Sequence, residues 1–269
     1  MIHCFKGGKN LAAVIELKNV SWRRGENMIL QNIDWTVEEG QHWAVLGLNG
    51  SGKTSILNMI NGYMWPTSGE ISVLGHKFGT IDLRELRKSI GWVSSSLQEK
   101  IRPNEQALEI VISGRHASIG LYTEIEQADR EKAETLMRDL GCSHLVGRAY
   151  QTCSQGEKQK LLIARALMAS PKLLILDEAS NGLDFISREA LLQSIDALSS
   201  RPDAPTLLLV THHTEEISPV FSHSLLIRRG EIFAQGRSNE ILSDSNLSDF
   251  FEMPVGVEWR GGRAWLSVR

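Results

Sequence analysis

Residues 42–54 read His42-Trp43-Ala44-Val45-Leu46-Gly47-Leu48-Asn49-Gly50-Ser51-Gly52-Lys53-Thr54. The opening residues form a short, uncharged, mostly apolar run, the pattern of a strand buried on both faces of a sheet. The stretch Gly47–Thr54 then matches the P-loop pattern in the context it requires, after a strand and at the start of a helix. Phosphate groups need many donors in a small space. Glycines let successive backbone N–H groups curl inward, and the helix that follows adds the positive end of its dipole. Lys53 would reach the far phosphates of a nucleotide, and the Thr54 hydroxyl would ligate a magnesium ion. Gly47, Asn49, Gly50, Ser51, Gly52, Lys53, Thr54 and Ser55 are therefore the candidate phosphate-binding residues. The plainer reading is a glycine-rich turn between strand and helix with no ligand.

Two further aliphatic runs have the same form. Leu173-Leu174-Ile175-Leu176 leads into Asp177-Glu178, and Thr206-Leu207-Leu208-Leu209-Val210 leads into Thr211-His212. Polar turns at the C-terminal ends of buried strands are where open α/β sheets place ligands. Upstream, Val14 to Val37 alternates around Arg23-Arg24-Gly25-Glu26-Asn27 and predicts an antiparallel β section. Residues from about 100 to 170 show helical periodicity instead. Asn104 is expected to cap a helix over Glu105–Ile112, and a polar helix is expected over Glu124–Leu140, ending before Gly141. After His213 the pattern predicts two strands around Arg228-Arg229-Gly230-Glu231, then a helix near Asn239–Leu242. A last β pair, Val255–Trp259 and Arg263–Val268, is split by Gly261-Gly262.

Composition narrows the classes. The chain has 269 residues, with 29 basic against 32 acidic side chains and a net charge of -3, which speaks against a dedicated nucleic-acid binder. Cys4, Cys142 and Cys153 lack any paired spacing, so neither a disulfide framework nor a zinc site is expected, and a reducing compartment fits. The histidines show no metal-ligand spacing, and His212 and His213, if in a strand, would point to opposite faces. No stretch approaches the length of apolar residues that a membrane-spanning helix needs. The start, Met1 to Val14, does not read as a secretory signal. A membrane role is thus expected to come through a partner.

Asp177 and Glu178 admit two readings. An aspartate at a strand end can hold magnesium through water while the neighbouring glutamate orients or deprotonates an attacking water. In isolation the pair also fits a helix-capping turn. Cys153-Ser154-Gln155-Gly156-Glu157 likewise begins a long helix, Lys158 to Ala169, as a capping box in which Ser154 and Glu157 bond reciprocally to backbone. A capped helix start with a small residue is also an anion site.

The order of these segments resembles the ABC (ATP-binding cassette) ATPase family. The resemblance rests on the P-loop, a helical insertion, Ser154-Gln155-Gly156-Glu157, Leu173–Glu178, Asn181-Gly182-Leu183-Asp184 and Thr211-His212, and spans roughly residues 14 to 243. It implies an α/β P-loop NTPase core with a mainly parallel sheet. Residues 14–95 and 171–243 would form the core with its N-terminal antiparallel β section, 96–170 a helical subdomain, and 244–269 a C-terminal appendage. By the same resemblance Lys53, Glu178 and His212 are the catalytic residues, Thr54 and Asp177 hold Mg2+, and ATP is the nucleotide. Ser154 and Gly156 look like signature residues that close on the γ-phosphate held by a second copy of the chain. Asp184 looks like the aspartate at the dimer seam.

Three departures accompany the likeness. Arg24 stands where the family often has an aromatic ring for adenine, with Trp22 two residues earlier; a guanidinium plane also stacks on a base, so both are candidates. Ser95 replaces the usual glutamine after Ile90-Gly91-Trp92-Val93, with Gln98 as the candidate substitute. Cys153 replaces the leucine common in the signature, a small apolar exchange. Within the family, Ser94-Ser95-Ser96-Leu97-Gln98, Ser118-Ile119-Gly120-Leu121-Tyr122 and Thr211-His212-His213 look similar to ATPases labelled as molybdenum-transport or photorepair components. The resemblance implies an ATP-hydrolysing transporter subunit on the cytoplasmic face of the membrane, paired with a second copy and with transmembrane permease subunits. The alternative is a soluble ABC-type ATPase acting on nucleic acid or protein assembly without a permease.

Overall fold

The computed structural model describes residues 12–116 and 125–269. Cys4 and the Ser118–Tyr122 stretch lie outside the described residues. The chain begins with a long hairpin, β1 (Ala13–Arg24) and β2 (Asn27–Glu38), and enters the central strand β3 (Trp43–Gly47), followed by α1 (Lys53–Ile60). Next come β4 (Ser68–Val73), β5 (His76–Lys77), α2 (Leu83–Lys88), β6 (Ile90–Val93) and the short α3 (Ser95–Gln98). A helical stretch holds α4 (Ala107–Ser113), α5 (Gln127–Asp139) and α6 (Gln155–Leu167). The chain returns through β7 (Leu173–Asp177), α7 (Phe185–Ser199) and β8 (Thr206–Thr211). It closes with β9 (His223–Arg228), β10 (Glu231–Arg237), α8 (Ser238–Ile241), α9 (Asp244–Phe251), β11 (Val255–Arg260) and β12 (Arg263–Val268).

The main sheet runs in the order β10-β9-β3-β8-β7-β6, parallel except for the edge strand β10, which pairs antiparallel with β9. An antiparallel sheet, β2-β1-β4-β5, lies beside it. Alternation along the buried strands explains why both faces are covered. Ala44, Leu46, Leu174, Leu176, Leu207 and Leu209 enter the core shared with the helices. Trp43, Val45, Leu173, Ile175, Leu208 and Val210 enter the core shared with α1 and the antiparallel sheet. A strand with both faces dry has no polar position to spare, hence the uninterrupted aliphatic runs.

The expected α/β fold with its antiparallel section and helical stretch is the one observed, with local corrections. Asn104 does not cap a helix: α4 starts at Ala107 after Gln106, with no side-chain cap. The cause is extended pairing just upstream, where Gln106 bridges Ala149, Ala107 N donates to Arg148 O, and Tyr150 N donates to Glu105 O. These bonds hold Glu105 and Gln106 out of the helix, and the Asn104 side chain accepts from Gln151 instead, at 2.8 Å. The polar helix α5 starts at Gln127, because Glu126 is extended and Ile125 packs toward the core. The helix α6 begins at Gln155, a turn before its apolar run, because Ser154 and Glu157 close the capping box. His212 and His213 lie beyond the end of β8 with their rings 4.2 Å apart, so they do not face opposite sides.

Candidate active site

The glycine-rich turn wraps the end of β3 with backbone angles that side chains resist. Gly50 and Gly52 have φ of 79° and 108°, in the left-handed region where glycine carries no steric penalty. A Cβ on Gly52 would sit 2.6 Å from the Leu30 side chain, which binds the loop closely to β2. The β9–β10 turn braces it from the other side. Gly230 N donates to Ser51 O, and Gln31 N donates to Gly230 O.

Inside this turn one polar group bonds back to the loop and another goes unpaired. Lys53 is buried, and its ammonium folds back to donate to Gly47 O at 2.6 Å and Leu48 O at 3.2 Å. Burial pulls its pKa down, while the Glu178 and Asp177 carboxylates act the other way, placing the three groups within electrostatic reach. The buried Ser51 hydroxyl has no hydrogen-bond partner among the described residues. An unpaired buried hydroxyl costs stability unless a ligand completes it. Thr54 is exposed and Ser55 half-buried at the head of α1, while Asn49 is exposed in the loop.

Asp177 ends β7, half-buried, with its pKa pushed up to about 6. Burial is the main cause and the adjacent Glu178 carboxylate the second. The Trp92 indole N–H, which makes no hydrogen bond of ordinary geometry, and the Lys53 ammonium oppose them. A desolvated carboxylate beside a second one suits a hard divalent cation, which neutralises both and takes oxygen ligands from protein and phosphate alike. Glu178 itself has φ of 51°, an unusual conformation for a side-chain-bearing residue at a strand end. Its backbone N–H donates to Val210 O, and Asn181 Nδ2 donates to Oε2 at 2.6 Å. The other oxygen, Oε1, faces His212 Nδ1 at 3.8 Å. Lys53, Asp177, Glu178 and His212 thus converge from β3, β7 and β8, neighbours in the sheet.

The remaining expected residues sit elsewhere in the same chain. Ser154, exposed, caps α6 and accepts from Glu157 N, while Glu157 accepts in return from Ser154 N. Gly156 is buried because α7 packs on it: a Cβ there would lie 3.0 Å from the Ser187 Cβ. Asp184 caps α7, accepting from the Ser187 backbone and hydroxyl, bonds that hold its carboxyl below the usual range. At the β1–β2 hairpin Trp22 is half-buried against the apolar core and Arg24 is exposed. Cys153 is buried, as its apolar reading requires, with burial raising its pKa.

The profile of the ABC transporter family matches residues 30–181, from β2 through the glutamate and asparagine at the end of β7. The chain belongs to this family. Its ATP-binding proteins include YlmA of Bacillus subtilis, an uncharacterized ABC transporter ATP-binding protein that is 51% identical over 255 residues, covering 94% of this chain and 97% of that one. The ABC transporter ATP-binding protein ModF of Escherichia coli is 32% identical, over 78% of this chain and 44% of its own length. Among solved structures, a dimeric ATP-binding cassette in a post-hydrolysis state, bound to ADP and Pi, is 26% identical with a TM-score of 0.70, covering 83% of this chain and 98% of that one. The ABC ATPase fold therefore stands on sequence and structure alike, and ATP is the nucleotide of this class. No helix among the described residues is long and apolar enough to cross a membrane.

Two features of this ABC site were not read from the sequence. Asn181 holds one oxygen of Glu178; its nearness in sequence was visible, but the strained φ that turns Glu178 toward it was not. Gln98 ties α3 to the signature helix, donating to Gln155 Oε1 at 2.7 Å and accepting from Gln159 Nε2 at 3.1 Å. Gln98 was the expected substitute for the glutamine that Ser95 replaces, but its partners on α6 were not legible.

Proposed function

We propose that this chain is the ATP-hydrolysing subunit of an ABC transporter, binding Mg-ATP between two copies of itself and driving separate transmembrane subunits from the cytoplasmic face. The observation that carries the reading is the Glu178 carboxylate, pinned through one oxygen by Asn181 while the other faces His212 at 3.8 Å. The backbone amides of Gly47–Ser55 would cradle the phosphates, with Lys53 leaving its carbonyl partners for the β- and γ-phosphates. Trp22 and Arg24 would be the candidates to stack on the base. Thr54 and Asp177 would hold Mg2+, which when bound supplies positive charge against the phosphate oxygens. Ser154 and Gly156 of the second copy would close on the γ-phosphate.

In hydrolysis, Glu178 takes a proton from water, the water oxygen bonds to the γ-phosphorus, and the bond to the bridging oxygen breaks, leaving ADP and phosphate. His212, exposed beside that carboxylate, contacts the γ-phosphate. The finer placement near molybdenum-transport or photorepair ATPases rests on the likeness of Ser94–Gln98 and Thr211–His213, and it carries no substrate with it.

Glu178→Gln is the decisive variant. It should bind ATP with near-normal affinity, elute as an ATP-dependent dimer in size-exclusion chromatography, and turn over about 10²- to 10⁴-fold more slowly. Normal turnover would remove Glu178 from this role. Recovery of a many-spanning membrane protein with the chain from detergent extracts would support transport. Nucleic-acid-stimulated hydrolysis without such a partner would favour the soluble alternative.

A further inference from the structure

The C-terminal hairpin β11–β12 rests on the two segments that carry Asp184 and His212. Its turn, Gly261-Gly262, has φ of 58° and 75°, the geometry of a two-residue hairpin turn with both central residues left-handed. That turn lies against Pro219: a Cβ on Gly262 would meet Pro219 Cγ at 2.6 Å. At its root, Val257 N donates to Asp244 Oδ1, and the Ser248 hydroxyl bonds the backbone of Val255, fixing the hairpin to α9. Along its flank, Arg263 Nη1 donates to both oxygens of Glu189 on α7, at 2.9 and 2.8 Å. Only 14% of the Arg263 side chain and 25% of the Glu189 side chain are exposed. An ion pair this sheltered is screened far less than a surface one.

Glu189 lies one turn into the helix that Asp184 caps, and Ser187 of the same turn packs on Gly156 of the signature. Its neighbour Arg188 faces Glu215 at 3.8 Å, and Glu215 faces His213 at 3.5 Å, in the turn that follows His212. The same turn is tied down by Thr211 donating to Glu216 at 2.6 Å, and by Ser218 donating to Asp196 on α7 at 2.6 Å. Hairpin, α7 and the histidine turn therefore form one linked body behind the site.

We infer that Arg263 is a positioning residue: through Glu189 it fixes the start of α7, and with it the relative placement of Asp184, Gly156 and His212. The inference rests on the hydrolytic reading given above for its effect on rate, though not for the linkage itself. A hairpin that merely covered apolar surface would need no sheltered ion pair to the helix that Asp184 caps.

The test compares full-length wild type, Arg263→Ala, Glu189→Gln, the exchange Arg263→Glu with Glu189→Arg, and Arg260→Ala as a control on the exposed end of the same hairpin. Steady-state kinetics should show kcat about five- to tenfold lower in Arg263→Ala and Glu189→Gln, with KM for ATP unchanged. The exchange should recover much of the loss, and Arg260→Ala should match wild type. Hydrogen exchange at pH 7 should show faster opening of the amides of residues 184–190 and 211–217 in Arg263→Ala, at protein concentrations where its thermal transition remains cooperative. Unchanged exchange in those two segments, or unchanged kcat in folded Arg263→Ala and Glu189→Gln, would overturn the inference. Glu189→Gln keeps the side chain's size, so the comparison survives if Arg263→Ala does not fold. A wild-type chain without turnover would sink the hydrolytic reading instead, while the exchange comparison would still decide the linkage.

Discussion

The two ends of the central sheet make opposite bargains with polar groups. At the C-terminal ends of β3, β7 and β8, Lys53 bends back onto loop carbonyls, the Ser51 hydroxyl has no partner among the described residues, and Glu178 sits at a left-handed φ. At the N-terminal ends a cleft of about 1180 Å³ opens, lined by His42, Lys132, Lys172, Arg201 and Pro205 among others. Several of its polar groups already have partners. His42 Nδ1 accepts from Leu207 N at 3.0 Å, Lys132 donates to Met168 O and the Ser170 hydroxyl, and Arg201 pairs with Asp139 and Asp203. This open end is the quieter one. Unfinished hydrogen bonding and strain, more than volume, mark the end of the sheet where a ligand is awaited.

Three substitutions would break or sharpen that contrast. The largest effect is expected from Lys53→Ala, which removes the buried ammonium within electrostatic reach of Asp177 and Glu178. Nucleotide affinity, read by fluorescence of a labelled ATP, and turnover should both fall, the latter by at least about 10²-fold. Retention of both would dissolve the distinction between the two ends.

Next in size is Asp177→Asn. The folded-state pKa of Asp177 lies near 6, above the ordinary carboxylate value, so the folded protein prefers the proton. The stability this contributes is present at low pH and is lost as pH rises from about 4 to 6. At pH 7.5 the ionised carboxylate is therefore a burden, and the asparagine variant should be about 1 to 3 kcal/mol more stable in thermal or urea unfolding without nucleotide. Its advantage should shrink toward pH 4, and turnover should be lost. An equal or lower stability at pH 7.5 would show that the site is not held under electrostatic tension.

The smallest effect belongs to the quiet end. Burial lowers the His42 pKa, leaving a neutral ring that accepts the Leu207 N–H. His42→Ala leaves that buried donor unpaired, at about 1 to 2 kcal/mol in stability. Turnover should remain within about twofold of wild type once folded protein is compared. A large loss of turnover would make the cleft part of the working site.

Much of the local structure was legible because it is written in local periodicity and turn chemistry. The aliphatic runs of β3, β7 and β8, the Gly25-Glu26 hairpin, the Ser154–Glu157 capping box and the split pair β11–β12 all appear where pattern and spacing predict them. The miss at Asn104 is of a different kind. Asn104 lost its capping role to bonds with Arg148 and Ala149, more than forty residues on, and no window of sequence contains that competition.

The α/β class, the glycine-rich turn and the polar residues at the strand ends could be read from the sequence, since each depends on neighbours a few positions away. Tertiary structure alone decided that Lys53, Asp177, Glu178 and His212 meet, that Glu178 is turned by its left-handed φ toward Asn181 and His212, and that Arg263 reaches Glu189 across 74 positions. Such meetings depend on sheet order and on how helices fold back over it, and side-chain identity constrains those only through the whole packed core.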